Sequence, residues 1–220
     1  GATELAPGPS STDDQTLRRA LSLAHDRGLR TVVFPIIIVD RVGPGQWRGT
    51  LAPRDIDVWW TAYERFIAHY ADLAAAAGAS ALSVGSELGS TEGWRDRWYH
   101  LISKVEKRFT GELWYSANWD HYRAVSFWSR LDVVGINGYF AVSQAHTPTV
   151  EQMRAGWRDA RAELTAFAAE IGRPLMLTEV GYLSRTGTAR APWDYTAKAP
   201  IDLAAQRDAY QAMVDAWQGA

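Results

Sequence analysis

The sequence predicts an α/β fold, a (β/α)8 TIM barrel, within a single domain that spans residues 1–220. Short apolar segments alternate along the chain with longer amphipathic segments, a pattern typical of a parallel sheet whose strands are joined by helices. Several apolar segments end in polar or aromatic residues, and barrel enzymes assemble their active sites at that end of their strands. An open dinucleotide-binding sheet is disfavoured because no glycine-rich phosphate loop opens a helix after an early strand.

Five apolar segments predict buried strands. Each is short and rich in β-branched or aromatic residues, as expected for strands covered on both faces. The segments are residues 31–39, 81–88, 113–119, 132–139 and 174–182. A closed barrel has eight strands, so we assign these as strands three to seven, with the first two and the last missing from this chain. Because an unclosed barrel exposes strand edges, we expect the missing strands to come from another segment or chain.

Amphipathic segments between these strands predict five helices. The segments cover residues 13–28, 59–70, 94–109, 150–171 and about 201–217. The first ends at Gly28, a residue suited to a helix C-terminus, and the fourth opens with a capping box formed by Thr149 and Gln152. A shorter helix is predicted over residues 121–130.

The composition excludes several classes of protein. A formal net charge of −2 gives no reason to expect a nucleic-acid partner, and the apolar runs are too short for a membrane-spanning helix. There is no cysteine, and none of the histidines, His100 and His121 included, has a second ligand at metal spacing, so we expect no metal site and no cofactor. The 11 Trp and 9 Tyr residues suit stacking on sugar rings, although core packing also explains them.

Two glutamates stand at equivalent places on two predicted strands. Glu87 lies in SVGSELGS and Glu179 in PLMLTEVGY, each at the end of a buried run. A carboxylate is costly there without a partner, so either one alone could be a structural residue satisfied by loop amides or an arginine. Two of them at one rim of a barrel favour a catalytic role over a structural one, because glycosidic cleavage needs a proton donor and a nucleophile or base.

Four motifs, GSEL, YSANW, GINGY and LTEVGY, occur in this order. Together they resemble glycoside hydrolase family 113, whose described members are β-1,4-mannanases, and the resemblance extends from the WRG at 47–49 to the last helix. It implies a retaining glycoside hydrolase with Glu87 as general acid/base and Glu179 as nucleophile. The implied substrate is a β-linked oligo- or polysaccharide, and the most specific expectation is an endo-β-1,4-mannanase. A polymeric substrate favours secretion over a cytoplasmic location.

The resemblance also suggests residues that support the two glutamates. It implies that the Tyr139 hydroxyl donates to Glu179. Asn137 lies on the same side of its strand as Tyr139, so it could bind a sugar hydroxyl or serve the structure. Tyr182 follows Glu179 by three residues and is a candidate to line the cleft.

Further candidates for substrate binding lie in the loops. Asn118 and Trp119 end one strand, and alternation predicts that only one of them faces the cleft. Trp119 and Trp193 are candidate sugar platforms or packing residues. The WRG segment makes Trp47 and Arg48 candidate substrate contacts by resemblance.

Asp40 is one more candidate for the site. It could face the sugar, although its position favours capping a turn.

Two alternatives to a glycoside hydrolase remain. A non-catalytic carbohydrate-binding barrel or degenerate fragment would explain the missing strands, but the retained Glu87 and Glu179 argue against it. An aldolase would need a lysine at a strand end, and none of the five predicted strands offers one.

Overall fold

The computed structural model describes residues 5–39, 43 and 45–218. Asp40 lies outside the described residues. The chain divides into two compact units. The first unit runs up to Ala117 and also includes His121–Val134, and the second consists of Asn118–Asp120 and the chain from Gly135 onward.

All five predicted strands are present, but the last is only partly buried, with Met176 38% exposed, and is not covered on both faces as predicted. They are β1 (Val32–Val33), β2 (Ala81–Ser86), β3 (Glu112–Asn118), β4 (Val134–Asn137) and β5 (Leu175–Glu179). They follow one another in a single sheet in chain order, and the β1–β2 and β2–β3 pairs are parallel. β1 is much shorter than predicted, since Pro35 lacks the N–H that a continuing ladder needs. The topology is that of part of the predicted (β/α)8 barrel.

The five predicted helices are also present, as α1 (Asp14–His25), α2 (Ile56–Ala76), α3 (Arg95–Glu106), α4 (Val150–Ile171) and α5 (Leu203–Trp217). The described part of the chain contains no helix that is both long and apolar enough to span a membrane.

The helix predicted over residues 121–130 is wrong in its type. The segment forms two short 3-10 helices, Tyr122–Ala124 and Trp128–Arg130. Between them, Ser126 donates both its backbone N–H (3.1 Å) and its hydroxyl (2.7 Å) to the carbonyl oxygen of Glu92. Because these contacts take Ser126 N–H away from the helical ladder, one continuous α-helix cannot form.

An irregularity in β2 lies directly before Glu87. Ser83 pairs with Trp114 and Ser86 pairs with Ser116, so β2 has one more residue than β3 between the two pairs. Such a bulge bends a strand and re-aims the side chains that follow it. The local geometry at Glu87 therefore begins inside the strand that precedes it.

Side chains of the first unit satisfy the backbone of this bulge. The Tyr63 hydroxyl donates to the Val84 carbonyl oxygen at 2.6 Å, and the Ser83 hydroxyl donates to the Gly85 carbonyl oxygen at 2.8 Å. A Cβ added to Gly85 would lie 2.7 Å from the Tyr63 hydroxyl, so only glycine fits there. Full burial of Tyr63 raises the pKa of its phenol, which stays protonated as a donor.

The core of the first unit is rich in aromatic side chains. The Trp98 ring stacks on Phe127 with centroids 4.3 Å apart and meets Tyr115 edge-on at 5.4 Å. Trp60 and Tyr63 of α2 also pack edge-on or tilted against this group. Aromatic pairs of this kind add to the stability supplied by apolar burial, so many of the tryptophans in the sequence are core residues.

The core of the second unit forms where α4 and α5 pack together. Its buried side chains are Val142, Met153, Trp157, Tyr182, Ala189, Ala209, Ala212 and Ala216. The backbone of Val142 lies so close to Gly156 that no side chain would fit at that position of α4. The Arg161 guanidinium donates to the Ala216 carbonyl oxygen at 2.7 Å and ties the two helices together.

The predicted capping box of α4 is confirmed. Gln152 donates its backbone N–H to the Thr149 hydroxyl at 3.2 Å, and its side-chain oxygen accepts the Thr149 backbone N–H at 2.9 Å. The helix ends at Gly172, whose φ of 72° is in the left-handed region that suits glycine. Both ends of α4 are therefore specified by local sequence.

Replacing Thr149 with Ala tests the cap. We expect Thr149→Ala to lower the free energy of unfolding by about 1 kcal/mol, because the Gln152 N–H loses the hydroxyl that accepts it. Urea denaturation followed by circular dichroism measures the change. Thr110→Ala, at an exposed turn position that caps no helix, is the matched control, and an equal loss in both variants would contradict the prediction.

Candidate active site

Glu87 follows directly after β2 and is buried, with 7% of its surface exposed. Its φ is +52°, and it is the single non-glycine residue with a positive φ among the described residues. A left-handed conformation costs a residue other than glycine roughly 1–3 kcal/mol and is concentrated at functional sites. The fold thus holds a carboxylate in a strained backbone conformation at the end of a buried strand.

Arg48 is the charged partner of Glu87. It begins a short 3-10 helix, Arg48–Thr50, and its Nη2 lies 2.5 Å from Glu87 Oε2. Both side chains are largely buried, which strengthens a charge-assisted hydrogen bond. The structure therefore provides Arg48 with a partner inside the protein, and a direct contact with substrate stays a prediction.

Trp47 is partly exposed next to this ion pair. Its indole lies against Gly49, so closely that any side chain at Gly49 would collide with the ring. This glycine is therefore needed for the path of the loop. The indole is partly exposed, and its contact with substrate stays a prediction.

A second buried carboxylate in the first unit, Glu92, was not singled out in the sequence. Its exposure is 0%. Glu92 Oε1 accepts the Tyr115 hydroxyl at 2.7 Å, and Glu92 Oε2 contacts His121 Nδ1. His121, whose side chain is 46% exposed, is therefore the partner of a buried glutamate. No local pattern could have revealed this pair, because its members lie on different loops.

Glu179 ends β5 in the second unit, and its predicted partner is confirmed. The Tyr139 hydroxyl donates to Glu179 Oε2 at 3.0 Å. The backbone supports the same pair, because Gly138 N–H donates to the Glu179 carbonyl oxygen at 2.6 Å. A Cβ on Gly181 would come within 3.1 Å of the Tyr139 ring, so the glycine after the strand leaves room for that ring.

Asn137 is fully buried at the end of β4. Its side-chain oxygen accepts the Thr178 hydroxyl of β5 at 2.9 Å. This bond supports the structural role that the sequence left open. Binding of a sugar hydroxyl by the same amide stays a prediction.

Trp119 and Trp193 form an aromatic stack in the second unit. Their ring centroids are 4.9 Å apart with an interplanar angle of 26°, and Phe140 meets Trp119 edge-on at 5.8 Å. Trp193 is 43% exposed, so the stack has an accessible side. The neighbouring Asn118 is engaged in its own loop, since its amide donates to Asp120 Oδ1 at 2.9 Å and its oxygen accepts the Trp119 N–H.

The predicted role of Tyr182 in the cleft is wrong. Its side chain is 5% exposed and belongs to the core formed by α4 and α5. Its hydroxyl accepts the indole N–H of Trp157 at 2.6 Å, and its ring packs edge-on against Tyr210. Burial raises the pKa of the Tyr182 phenol. A tyrosine near a strand end reaches this core because the chain turns away from the strand after Glu179.

Strands joined by helices in one sheet, with a glutamate at the carboxyl end of two of the strands, are typical of the class of barrel enzymes with acidic active-site residues. The model of Glycoside Hydrolase Family 113 matches residues 7–220. The chain belongs to this family and is a glycoside hydrolase. No match was found among curated protein sequences.

Solved structures support this assignment. The family 113 β-mannanase AaManA from Alicyclobacillus acidocaldarius, in complex with ManMIm, is 27% identical with a TM-score of 0.83, over 99% of this chain and 68% of that one. Another family 113 β-1,4-mannanase is 25% identical with a TM-score of 0.82, over 98% and 68% of the two chains. A fungal β-1,4-galactanase, 15% identical with a TM-score of 0.56 over 97% and 71%, shares the fold.

Removing the Tyr139 hydroxyl tests its contact with Glu179. We expect Tyr139→Phe to lower kcat/KM about ten- to a hundredfold, because a hydrogen bond to a charged group contributes roughly 1.5–3 kcal/mol. Steady-state hydrolysis of an aryl β-glycoside measures the change, and circular dichroism checks the fold. Tyr195→Phe, which alters a highly exposed tyrosine of the same unit, is the control. Unchanged kcat/KM in Tyr139→Phe would refute the role.

Proposed function

We propose that the chain carries the catalytic residues of a retaining endo-β-1,4-mannanase, with Glu87 as general acid/base and Glu179 as nucleophile. The observation that carries the proposal is that each glutamate stands at the carboxyl end of a strand with a dedicated partner, in a chain that belongs to family 113. Retaining glycosidases use two carboxyl groups in these roles.

In the first step, Glu179 attacks the anomeric carbon and forms a covalent bond to the sugar. The bond from that carbon to the leaving oxygen breaks, and Glu87 donates its proton to that oxygen. Glu87 must carry a proton at this point, so its ion pair with Arg48 has to open when substrate binds. Arg48 is then free to donate to a sugar hydroxyl, which unites its contact with Glu87 and its expected contact with substrate.

In the second step, Glu87 removes a proton from water and the resulting oxygen attacks the anomeric carbon. The bond to Glu179 breaks, and the product keeps the configuration of the substrate. Glu87 is ionised only between the two steps, where re-formation of the ion pair with Arg48 would stabilise its carboxylate, and the second step returns the proton that the next cycle needs. Tyr139 donates to Oε2 of Glu179, which leaves Oε1 as the atom that bonds to the sugar.

The substrate assignment is supported by the relatives and by the aromatic stack. Two solved relatives, 27% and 25% identical, are described as a β-mannanase and a β-1,4-mannanase. Trp193 presents an accessible ring face that is held in place by Trp119. Aromatic rings bind the apolar faces of sugars, so we expect Trp193 to bind a sugar unit of a polymeric substrate.

Replacing each glutamate with alanine tests the two roles separately. We expect Glu179→Ala to lose turnover of β-1,4-mannan, and Glu87→Ala to lose roughly 10²–10⁴-fold in kcat/KM, the usual contribution of general acid–base catalysis. The products of an azide-rescue reaction distinguish the roles. Azide should give a β-glycosyl azide with Glu87→Ala and, from an activated aryl β-glycoside, an α-glycosyl azide with Glu179→Ala.

The wild-type enzyme provides the remaining readout. Proton NMR of the first products from a mannooligosaccharide should show the β-anomer, because retention is expected. Initial α-anomer would contradict the retaining mechanism, and sugar binding without turnover on any β-glycan would contradict catalysis. Higher kcat/KM on β-1,4-galactan or β-1,4-glucan than on β-1,4-mannan would contradict the substrate assignment.

Truncating Trp193 tests the sugar platform. We expect Trp193→Ala to raise KM for mannan about two- to tenfold with little change in kcat, since an aromatic contact contributes roughly 0.5–1.5 kcal/mol. Steady-state kinetics on soluble mannan measures both constants. Tyr195→Ala, in the same loop but outside the stack, is the matched variant. An equal KM in wild type and Trp193→Ala would remove Trp193 from the substrate site.

A further inference from the structure

Glu92 is a fully buried carboxylate that the proposed chemistry does not use. A glutamate is almost never completely buried unless it is paired or has a function, because an unpaired charge is expensive to remove from water. Its two oxygens have different partners in the first unit, Tyr115 for Oε1 and His121 for Oε2. Both partners connect Glu92 to the residues around Glu87.

Tyr115 links Glu92 to the peptide that follows Glu87. Its single hydroxyl proton goes to Glu92, so the same oxygen is left to accept the backbone N–H of Leu88, at 2.8 Å. Burial, and next the charge of Glu92, raise the pKa of the Tyr115 phenol. The phenol therefore stays protonated, and the direction of both hydrogen bonds is set.

These bonds act where the backbone is strained. Glu87 N–H donates to the Ser116 carbonyl oxygen at 2.8 Å, and Leu88 N–H donates to Tyr115, so adjacent residues of β3 hold both amides. With a φ of +52°, Glu87 would relax toward an ordinary conformation if either anchor were lost. Glu92 orients the Tyr115 anchor.

His121 extends the same network toward the loop that carries Arg48. A Cβ placed on Gly89 would lie 3.5 Å from His121 Nδ1 and 3.1 Å from the Gly49 carbonyl oxygen, so both groups lie beside Gly89. Gly49 directly follows Arg48. The contact of His121 with Glu92 therefore holds the turn after Glu87 against the loop that supplies its arginine.

We propose that Glu92 is a positioning residue for Glu87, acting through Tyr115 on the strained peptide and through His121 on the Arg48 loop. The inference rests on the proposed role of Glu87 as general acid/base. Glu92 itself does not touch the substrate. It holds the Glu87 carboxyl group at the point where a departing sugar oxygen has to be protonated.

Leaving-group dependence distinguishes this role from a general loss of structure. A departing sugar alcohol needs a proton, whereas a dinitrophenolate leaves without one, because its conjugate acid is already strong. Displacement of Glu87 should therefore slow the glycosylation step for a mannooligosaccharide and spare it for an activated aryl glycoside. A folding defect or damage at Glu179 would slow both substrates equally.

The test compares kcat/KM on mannotetraose with kcat/KM on 2,4-dinitrophenyl β-mannobioside. We expect Glu92→Gln and Tyr115→Phe each to lower the ratio of the two constants about tenfold or more, a part of the roughly 10²–10⁴ available from general acid catalysis. Glu92→Asp should restore part of the ratio, since it keeps the charge. Glu106→Gln, which breaks the exposed ion pair with Arg130 in the same unit, should leave the ratio unchanged.

Glu87→Gln is the reference that separates the two hypotheses. If Glu87→Gln leaves the ratio unchanged, the acid/base role fails and the inference fails with it. If Glu87→Gln lowers the ratio but Glu92→Gln and Tyr115→Phe do not, the acid/base role stands and the positioning role of Glu92 is refuted. Should Glu92→Gln not fold, as judged by circular dichroism, the result with Tyr115→Phe decides.

Discussion

The cost of burying a carboxylate is the constraint on which the rest of this structure depends. A glutamate at the end of a covered strand loses most of its hydration, so the fold must supply a partner of opposite charge or a hydrogen-bond donor. The buried Glu87 has Arg48 and the buried Glu92 has a phenol and an imidazole, while the partly buried Glu179 has Tyr139. The loops of each unit follow paths that bring these donors to the carboxylates.

The first unit meets this constraint with a strained backbone, and the strain explains features that look unrelated in the sequence. The extra residue in β2 frees carbonyl groups that Tyr63 and Ser83 then satisfy. Gly85 is small because the Tyr63 hydroxyl occupies its side-chain space. These features accommodate Glu87 in a left-handed conformation where it leaves the strand. Its carboxylate is therefore held by backbone geometry as well as by Arg48.

The second unit solves the same problem with regular structure. Glu179 lies within β5, and its partner Tyr139 follows the neighbouring strand, so ordinary strand geometry brings the two together. Small residues provide the space, since Gly181 lies under the Tyr139 ring. Trp119 and its stacking partner Trp193 belong to the same unit, so an aromatic face is present in the unit that holds the proposed nucleophile.

The sequence by itself determined the strands, the five long helices and the α4 cap, because these depend on local periodicity and on capping residues, and its resemblance to family 113 implied the pairing of Tyr139 with Glu179. Only the tertiary structure decided the network around Glu92 and the burial of Tyr182. Both depend on contacts between residues far apart in the chain, to which no local pattern corresponds. The helix predicted after His121 is absent for the same reason, because Ser126 donates its backbone N–H to the carbonyl oxygen of Glu92, which is distant in the sequence.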